Sequence, residues 1–234
     1  MNTPLLTILT PSTGKNSLYK LIKSIDAQNI PCIHVLLWDF KRDDDFLYPD
    51  PKTLQVKDPY SFNSDNRYSI VIPGSTVQGM AYGSTLRSIG MMLATTPYVT
   101  FADSDVYWEN DHLETMLDAI ENKEWAYCKR KIWASETEYI GIDDFESVGD
   151  SPNRKVPYEM VDNNCMIFKR RLGTSGAVLY REVDGQYNDD RLFYQFLKKF
   201  GGNPGKTNKA TVNQICPERL IPMFREGCTK ETKE

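Results

Sequence analysis

Asp103-Ser104-Asp105 directly follows the apolar run Pro97-Tyr98-Val99-Thr100-Phe101-Ala102. Such a run reads as a buried strand, and open α/β sheets bind ligands beyond the C-terminal ends of their strands. If the chain stays extended there, alternate residues project to one side and the two carboxylates share a face. Paired hard oxygen groups suit a divalent cation whose other positions go to phosphate oxygens and water. The competing reading is a solvated turn. The sequence on either side favours the first reading, because a helix follows at once. Asp111 stands at its N-cap position and Glu114 three residues later, the spacing of a capping box. A second acidic pair, Asp189-Asp190, opens a late helix whose apolar face is Leu192, Phe193, Phe196, Leu197 and Phe200, ended by Gly201-Gly202. Aspartate is favourable at a helix start, so capping alone would account for that pair.

Other chemistries are poorly supplied. The two histidines, His34 and His112, have no Ser or Cys partner signalled by spacing. The five cysteines are odd in number, scattered and never in a CxxC pair. Buried free thiols are expected, rather than a disulfide framework or a zinc site. A phosphate-binding GxxxxGK[ST] loop fails at Leu9 and at Asn16, and no GxGxxG follows the first strand.

The elements that must position these carboxylates alternate along the chain. Leu5 to Leu9 reads as a strand and Pro11 to Gly14 as a turn. Leu18, Leu21, Ile22 and Ile25 lie on one helix face. His34 to Trp38 is apolar throughout, as a strand covered on both faces should be. It ends at Asp39, before a polar stretch over 41–66. Tyr68 to Ile72 is a strand, and Leu86, Ile89 and Leu93 mark a helix. Trp125 to Trp133 and Cys165 to Lys169 are strands. Residues 134–161 read as a long polar loop, and the part following Tyr139, with Gly141, Gly149, Pro152 and Pro157, is expected to be mobile without ligands and to close over one as a lid. Beyond Gly205 the chain is charged and weakly patterned. Strands alternating with helices imply an α/β fold with a mainly parallel central sheet flanked by helices.

The 234 residues fit a single domain, with 40% hydrophobic and 26% charged residues. A net charge of −4 and the lack of a basic stripe argue against nucleic acid as a partner. The opening residues read as a strand rather than a signal peptide. No apolar run approaches the ~20 residues of a transmembrane segment. A soluble, cytoplasmic protein is expected, of undefined oligomeric state.

The stretch Arg87-Ser88-Ile89-Gly90, Ala94, and Pro97 through Asp105 resembles the donor-site signature of family 2 glycosyltransferases of the GT-A fold. That family shows an Arg-Asn-x-Gly helix and then a strand ending in DxD; here Ser88 stands where Asn is usual. LLTILTPSTGKNSLYKLIKSIDAQ resembles the family's first strand, Pro-containing turn and helix, and HVLLWD its second strand. The resemblance spans residues 4 to 200 and is clearest before 110.

The resemblance implies a GT-A (nucleotide-diphospho-sugar transferase) fold. Its nucleotide-sugar-binding half would be 1–110, its acceptor-side half 111–205, with a smaller mixed sheet, and 206–234 a C-terminal tail. It implies a metal site of Asp103 and Asp105 for Mn²⁺ or Mg²⁺. The donor site would draw on Thr10, Pro11 and Ser12 for base and ribose, and on Asp39 for the base. Tyr82 and Arg87 would lie toward the diphosphate, with Asp103 and Ser104. Asp189 or Asp190 would be the catalytic base, and Asp162 is a further acceptor-side candidate.

The implied activity is inverting transfer of a sugar from a nucleoside-diphosphate sugar to a hydroxyl on a glycan, lipid-linked or protein-linked acceptor. A UDP-sugar is the favoured donor, with GDP- and dTDP-sugars as alternatives. The rival readings are a non-catalytic sugar-nucleotide or glycan-binding module on the same scaffold, and a sugar-nucleotide nucleotidylyltransferase. The latter lacks its Gly-rich N-terminal loop.

Overall fold

Apolar residues with little polar interruption fill the first strand, β1 (Leu6–Ser12), and every one of its residues is buried. The computed structural model describes residues 3–12, 17–38, 67–71, 83–152, 154–179 and 189–230. β1 lies between β2 (Cys32–Trp38) and β4 (Tyr98–Phe101), parallel to both, and β3 (Arg67–Val71) is parallel to β2 on its far side. The two buried threonines of β1 find polar partners, as buried hydroxyls must. Thr7 Oγ1 meets Thr96 Oγ1 at 2.7 Å, and Thr10 Oγ1 meets His34 Nε2 at 2.9 Å.

Helix α1 (Leu18–Asp26) buries Leu18, Leu21, Ile22 and Ile25, the face read from its spacing. Helix α2 (Ser84–Leu93) packs so closely that a Cβ at Gly90 would lie 2.8 Å from Leu37 Cδ1 and 3.0 Å from both Leu9 methyls.

The second half of the sheet continues the first rather than forming a separate smaller sheet. β8 (Met166–Lys169) is antiparallel to β4, and β6 (Trp125–Trp133) is antiparallel to β8. β9 (Gly205–Ile215) is parallel to β6, and β5 (Val106–Trp108) is antiparallel to β9. Nine described strands thus run in the order β3-β2-β1-β4-β8-β6-β9-β5, with β7 (Tyr139–Ile142) beside β6. Parallel pairing is confined to β3-β2-β1-β4 and to β6–β9. On one flank of β6, β8 covers Trp125 to Tyr127 and β7 covers Lys131 to Trp133. Between them, among the described residues, Cys128 and Lys129 have no strand partner on that flank, and the Arg130 carbonyl accepts the Asp143 N–H at 3.0 Å.

Helix α3 (His112–Ile120) does not form the expected capping box, since Asp111 makes no side-chain cap. Asp111 Oδ2 accepts instead from Lys209 and Thr115. The cap comes from far away in sequence. Gln28 Oε1 accepts the Leu113 N–H at 2.9 Å, while its Nε2 donates to the Glu109 and Ser24 carbonyls. Helices α4 (Arg170–Gly176) and α5 (Asp189–Gly201) pack on the sheet, and Tyr194 of α5 meets Trp125 edge to face at 5.6 Å.

Residues 134–161 are not one long irregular loop, because they contain β7. Their remainder is tied down by the Gly149 N–H to Met160 carbonyl bond and by Ser147, whose Oγ accepts the Asp162 N–H at 2.7 Å. That anchoring weighs against the expected lid. Residues 205–215, read as part of a weakly patterned tail, form an eleven-residue strand, and Ile221–Gly227 forms a further helix, α6. Lys206, Asn208 and Lys209 face outward, where β5 does not reach, and they hide the strand's periodicity.

Gly205 starts β9 against the end of α3, where a Cβ would fall 1.7 Å from the Ala119 carbonyl oxygen. Gly205→Ala should cost about 1–3 kcal/mol or more by overpacking. Thermal melting should show Tm lowered by roughly 2–4 °C for each kcal/mol. A Tm equal to the parent's would mean that β9 does not seat against α3.

Candidate active site

The chain turns as soon as it leaves β4. The Val106 N–H donates to the Asp103 carbonyl at 3.2 Å, so Asp103 to Val106 form a turn. The expected extended segment, with both carboxylates projecting alike, is therefore replaced by a turn that Asp103 and Asp105 share. Ser104 between them is buried.

Asp103 is held on three sides. Its carboxylate pairs with Arg87 through Oδ1 and accepts from Asn164 Nδ2 at 3.1 Å through Oδ2. Its own N–H donates to Asn164 Oδ1 at 2.5 Å. Arg87 is not an ordinary surface arginine: only 5% of it is exposed, and it lies 5.9 Å over the Phe101 ring. Gly83 makes that placement feasible. It precedes α2 with φ +81°, and a Cβ there would lie 2.6 Å from Pro11 Cβ. The start of α2 thus touches the end of β1, and Arg87, one turn further on, reaches Asp103.

The other expected donor-site residues are less uniform. Pro11 and Ser12 end β1 and are buried. Thr10 is fully buried with its hydroxyl on His34, so of its groups only the backbone is left for the expected contact with base or ribose. Asp39, Tyr82 and the stretch 41–66 lie outside the described residues.

Charge gathers around β6 between the stretches paired with β8 and β7. Arg130 is 3% exposed. It donates to Asp143 through Nε at 2.9 Å, to Glu146 through Nη2 at 2.5 Å and to Gln214 Oε1 through Nη1 at 2.7 Å, and it also pairs with Asp162. Burial alone would disfavour its charge, but Asp162, Asp143 and Glu146 hold its pKa well above the ordinary value. Asp143 further accepts the N–H groups of Phe145, Glu146 and Ser147, folding the loop back over the arginine.

Asp162, a candidate for the acceptor side, has partners on both its oxygens. Oδ2 pairs with Arg130, and Oδ1 accepts from the Asn164 N–H at 2.9 Å and from Nδ2 at 2.8 Å. Asp190, on the first turn of α5, accepts from Asn163 Nδ2 at 2.5 Å through Oδ1. Asp189 begins the same helix. Three consecutive residues thus face three different groups: Asp162 the buried arginine, Asn163 the α5 aspartate, Asn164 the β4 aspartate. Nothing in the sequence singles out Arg130, Asn163 or Asn164 beyond an unbroken polar triplet between Val161 and Cys165.

A cleft of about 450 Å³ lies on the β6–β9 side, lined in part by Tyr127, Lys129, Asp144, Ser147, Asp150 and Lys206. It meets this network only through Ser147, and none of Asp103, Asp105 or Asp190 lines it.

Among the described residues no group of three or more His, Cys, Asp or Glu gathers as a metal cage. Asp103 and Asp105 supply two carboxylates, and each carboxylate oxygen has two lone pairs, so Asp103 retains acceptor capacity beyond Arg87 and Asn164. That donor set suits Mg²⁺ or Mn²⁺ completed by phosphate oxygens and water. It does not suit a closed structural zinc site.

Residues 83–187 match the family model described as Glycosyl transferase family 2, a segment that holds Arg87, Asp103, Asp105 and Asn164. The whole architecture is similar to that of S. aureus TarS. For TarS 1-349 the TM-score is 0.64 at 18% identity, covering 97% of this chain and 66% of that one. A structure of S. aureus TarS gives 0.64 at 16% identity, covering 94% and 38%. TarS 1-349 in complex with UDP-GlcNAc gives 0.63 at 17%, covering 91% and 59%. The chain spans about two-thirds or less of the TarS chains it matches. No curated protein matches it in sequence. The fold is the GT-A fold. Within it, residues 83–187 are similar to glycosyl transferase family 2.

Burial pushes the Glu146 carboxyl above its usual range, Arg130 opposes the rise, and Asp143 and Asp162 add to it. The folded protein therefore binds this proton more tightly than the unfolded chain does. The stability Glu146 contributes is full below the ordinary glutamate pKa of about 4.3 and is lost as pH rises through the raised value. Glu146→Gln removes that dependence. Urea unfolding should show the variant gaining on the parent as the pH is raised from about 4 to about 8. A difference that shrinks over that range would mean the carboxyl is not raised.

Proposed function

We propose that this chain transfers a sugar from a nucleoside-diphosphate sugar to a hydroxyl acceptor, with inversion at the anomeric carbon. The observation that carries the reading is the single asparagine pair that holds both Asp103, at the end of β4, and Asp190, at the start of α5. One carboxylate belongs to the turn suited to a diphosphate, and the other to the helix suited to an acceptor. A UDP-sugar is the favoured donor, since TarS is described in complex with UDP-GlcNAc and with UDP; GDP- and dTDP-sugars are the alternatives. The acceptor is a glycan, lipid-linked or protein-linked hydroxyl.

Asp103 and Asp105 would hold Mn²⁺ or Mg²⁺, which when bound neutralises the charge that develops on the departing diphosphate. The chain's own groups do the rest. Arg87 keeps Asp103 oriented and places a fixed positive charge beside the turn. Pro11 and Ser12 end the strand against which the nucleoside would lie. Asp190 takes the proton from the acceptor hydroxyl as its oxygen attacks the anomeric carbon and the bond to the diphosphate oxygen breaks. One domain serves, with a donor half over about 1–110. Among the described residues no helix is long and apolar enough to cross a membrane, and a cytoplasmic location belongs to the same proposal.

Two measurements test this. Calorimetry should show UDP-sugar binding that depends on Mn²⁺, because two phosphates beside paired carboxylates repel at close range. Equal affinity in EDTA, or an Asp105→Ala variant with parent affinity, would remove the metal assignment.

Asp190→Asn keeps the size of the side chain and loses its basic oxygen. Transfer should fall by roughly 10²–10⁴-fold, with donor affinity little changed, while Asp189→Asn retains transfer. A loss confined to Asp189→Asn would move the base to Asp189. Parent rates in both variants would exclude a base at this helix.

A further inference from the structure

We infer that Asn163 and Asn164 are positioning residues that set the acceptor-side Asp190 and the donor-side Asp103 in fixed register, from a mount anchored on Arg130. This rests on the roles proposed above for Asp103 and Asp190. The geometry that supports it is unusually complete for two neutral side chains. Both asparagines are 2% exposed. Asn164 uses its amide in both directions: Oδ1 accepts the Asp103 N–H, and Nδ2 donates to Asp103 Oδ2 and Asp162 Oδ1. Both amide hydrogens are spent on carboxylates and the carbonyl oxygen on an N–H, so only one orientation of the amide satisfies the site.

Asn164 grips the backbone and the side chain of Asp103 together, and this fixes the carboxylate's direction. Asn163, the adjacent residue, grips Asp190. The triplet cannot drift, because Asp162 is pinned by Arg130 on one side and by Ser147 Oγ on its N–H. Arg130 in turn carries three carboxylates and Gln214. A site of this kind needs its supporting groups within a few tenths of an ångström, since misplacement alone can cost orders of magnitude in rate.

The two asparagines should fail differently, as two merely structural residues would not. Each variant is assayed for sugar transfer, for UDP binding with Mn²⁺ by calorimetry, and for melting by circular dichroism. Asn163→Ala should lower kcat by roughly 10²-fold and leave UDP affinity at the parent value. Asn163→Asp, which sets a like charge against Asp190, should be slower still. Asn164→Ala should weaken UDP binding in Mn²⁺ by roughly 10- to 100-fold, the usual cost of losing a group that orients a metal-holding carboxylate. Should Asn164→Ala fail to fold, Asn164→Ser, which keeps a hydroxyl in the gap, must show the same direction of loss.

Asp103→Asn and Asp190→Asn accompany the series as controls on the roles themselves. If they are impaired while folded Asn163→Ala and Asn164→Ala match the parent, the positioning role is overturned and the roles of the aspartates stand. If kcat and UDP affinity fall together in both alanine variants, in step with Tm, the asparagines are structural only and the inference is likewise overturned. If both aspartate controls match the parent, the roles and the inference fall together.

Discussion

A guanidinium inside a sheet is tolerable only when carboxylates surround it, and Arg130 imposes that condition on everything near it. Leaving such a charge without partners costs several kcal/mol, far more than a typical surface ion pair contributes. The arginine sits after β8 has finished covering β6 and before β7 begins, where the Asp143 N–H alone meets its carbonyl. The chain answers the demand twice: Asp143 and Glu146 come from beyond β7, and Asp162 from the approach to β8. The loop between them is therefore shaped from both ends by one side chain. Asp143 reinforces this by accepting three successive backbone N–H groups. What would otherwise be a frayed split in the sheet becomes a rigid polar junction, and the two asparagines project from it.

The donor side is built on different physics. There the sheet is parallel, apolar and covered, and its precision comes from close approach rather than charge. Gly90 lets α2 press on Leu9 and Leu37, and Gly83 lets its first turn meet Pro11. Arg87 is then carried to Asp103 by a helix that has little freedom to shift. The two halves meet at Asp103, fixed by a helix on one side and by the polar junction on the other.

The parallel half was legible in the sequence because its strands are continuous apolar runs and α1 keeps a clean helical period. Asp103, Asp105 and Asp190 were legible as candidates because each stands at the boundary of a readable element. What was not legible follows from long-range partners. In Trp125 to Trp133, Lys129, Arg130 and Lys131 look alike, yet only Arg130 is buried, since it alternates with the two lysines and shares the face of Cys128 and Ile132. The start of α3 looked self-capped, but Gln28, 85 positions away, supplies the acceptor. Thr10 looked like a ligand contact at a strand end, whereas His34 on the neighbouring strand claims its hydroxyl. Asp103 looked extended, and a local turn bends it. At α3 and Thr10 a tertiary partner outweighed a local pattern, and at Asp103 one local pattern displaced another.

The place of β9 in the sheet has a consequence for how the molecule is made. Residues 205–215 lie between β5 and β6, strands that end at Trp108 and Trp133, well before β9 is synthesised. Until β9 emerges, β5 has no strand partner among the described residues, and one edge of β6 stands bare. A bare edge is a template for pairing with other chains. Vectorial synthesis thus leaves the donor half free to collapse early while the second half waits with an open seam. Closing contacts of such sequence separation slows folding. The nascent chain is most exposed to misassembly during that interval, and the charged Lys206 and Lys209 on β9 are suitable guards for the strand once it arrives.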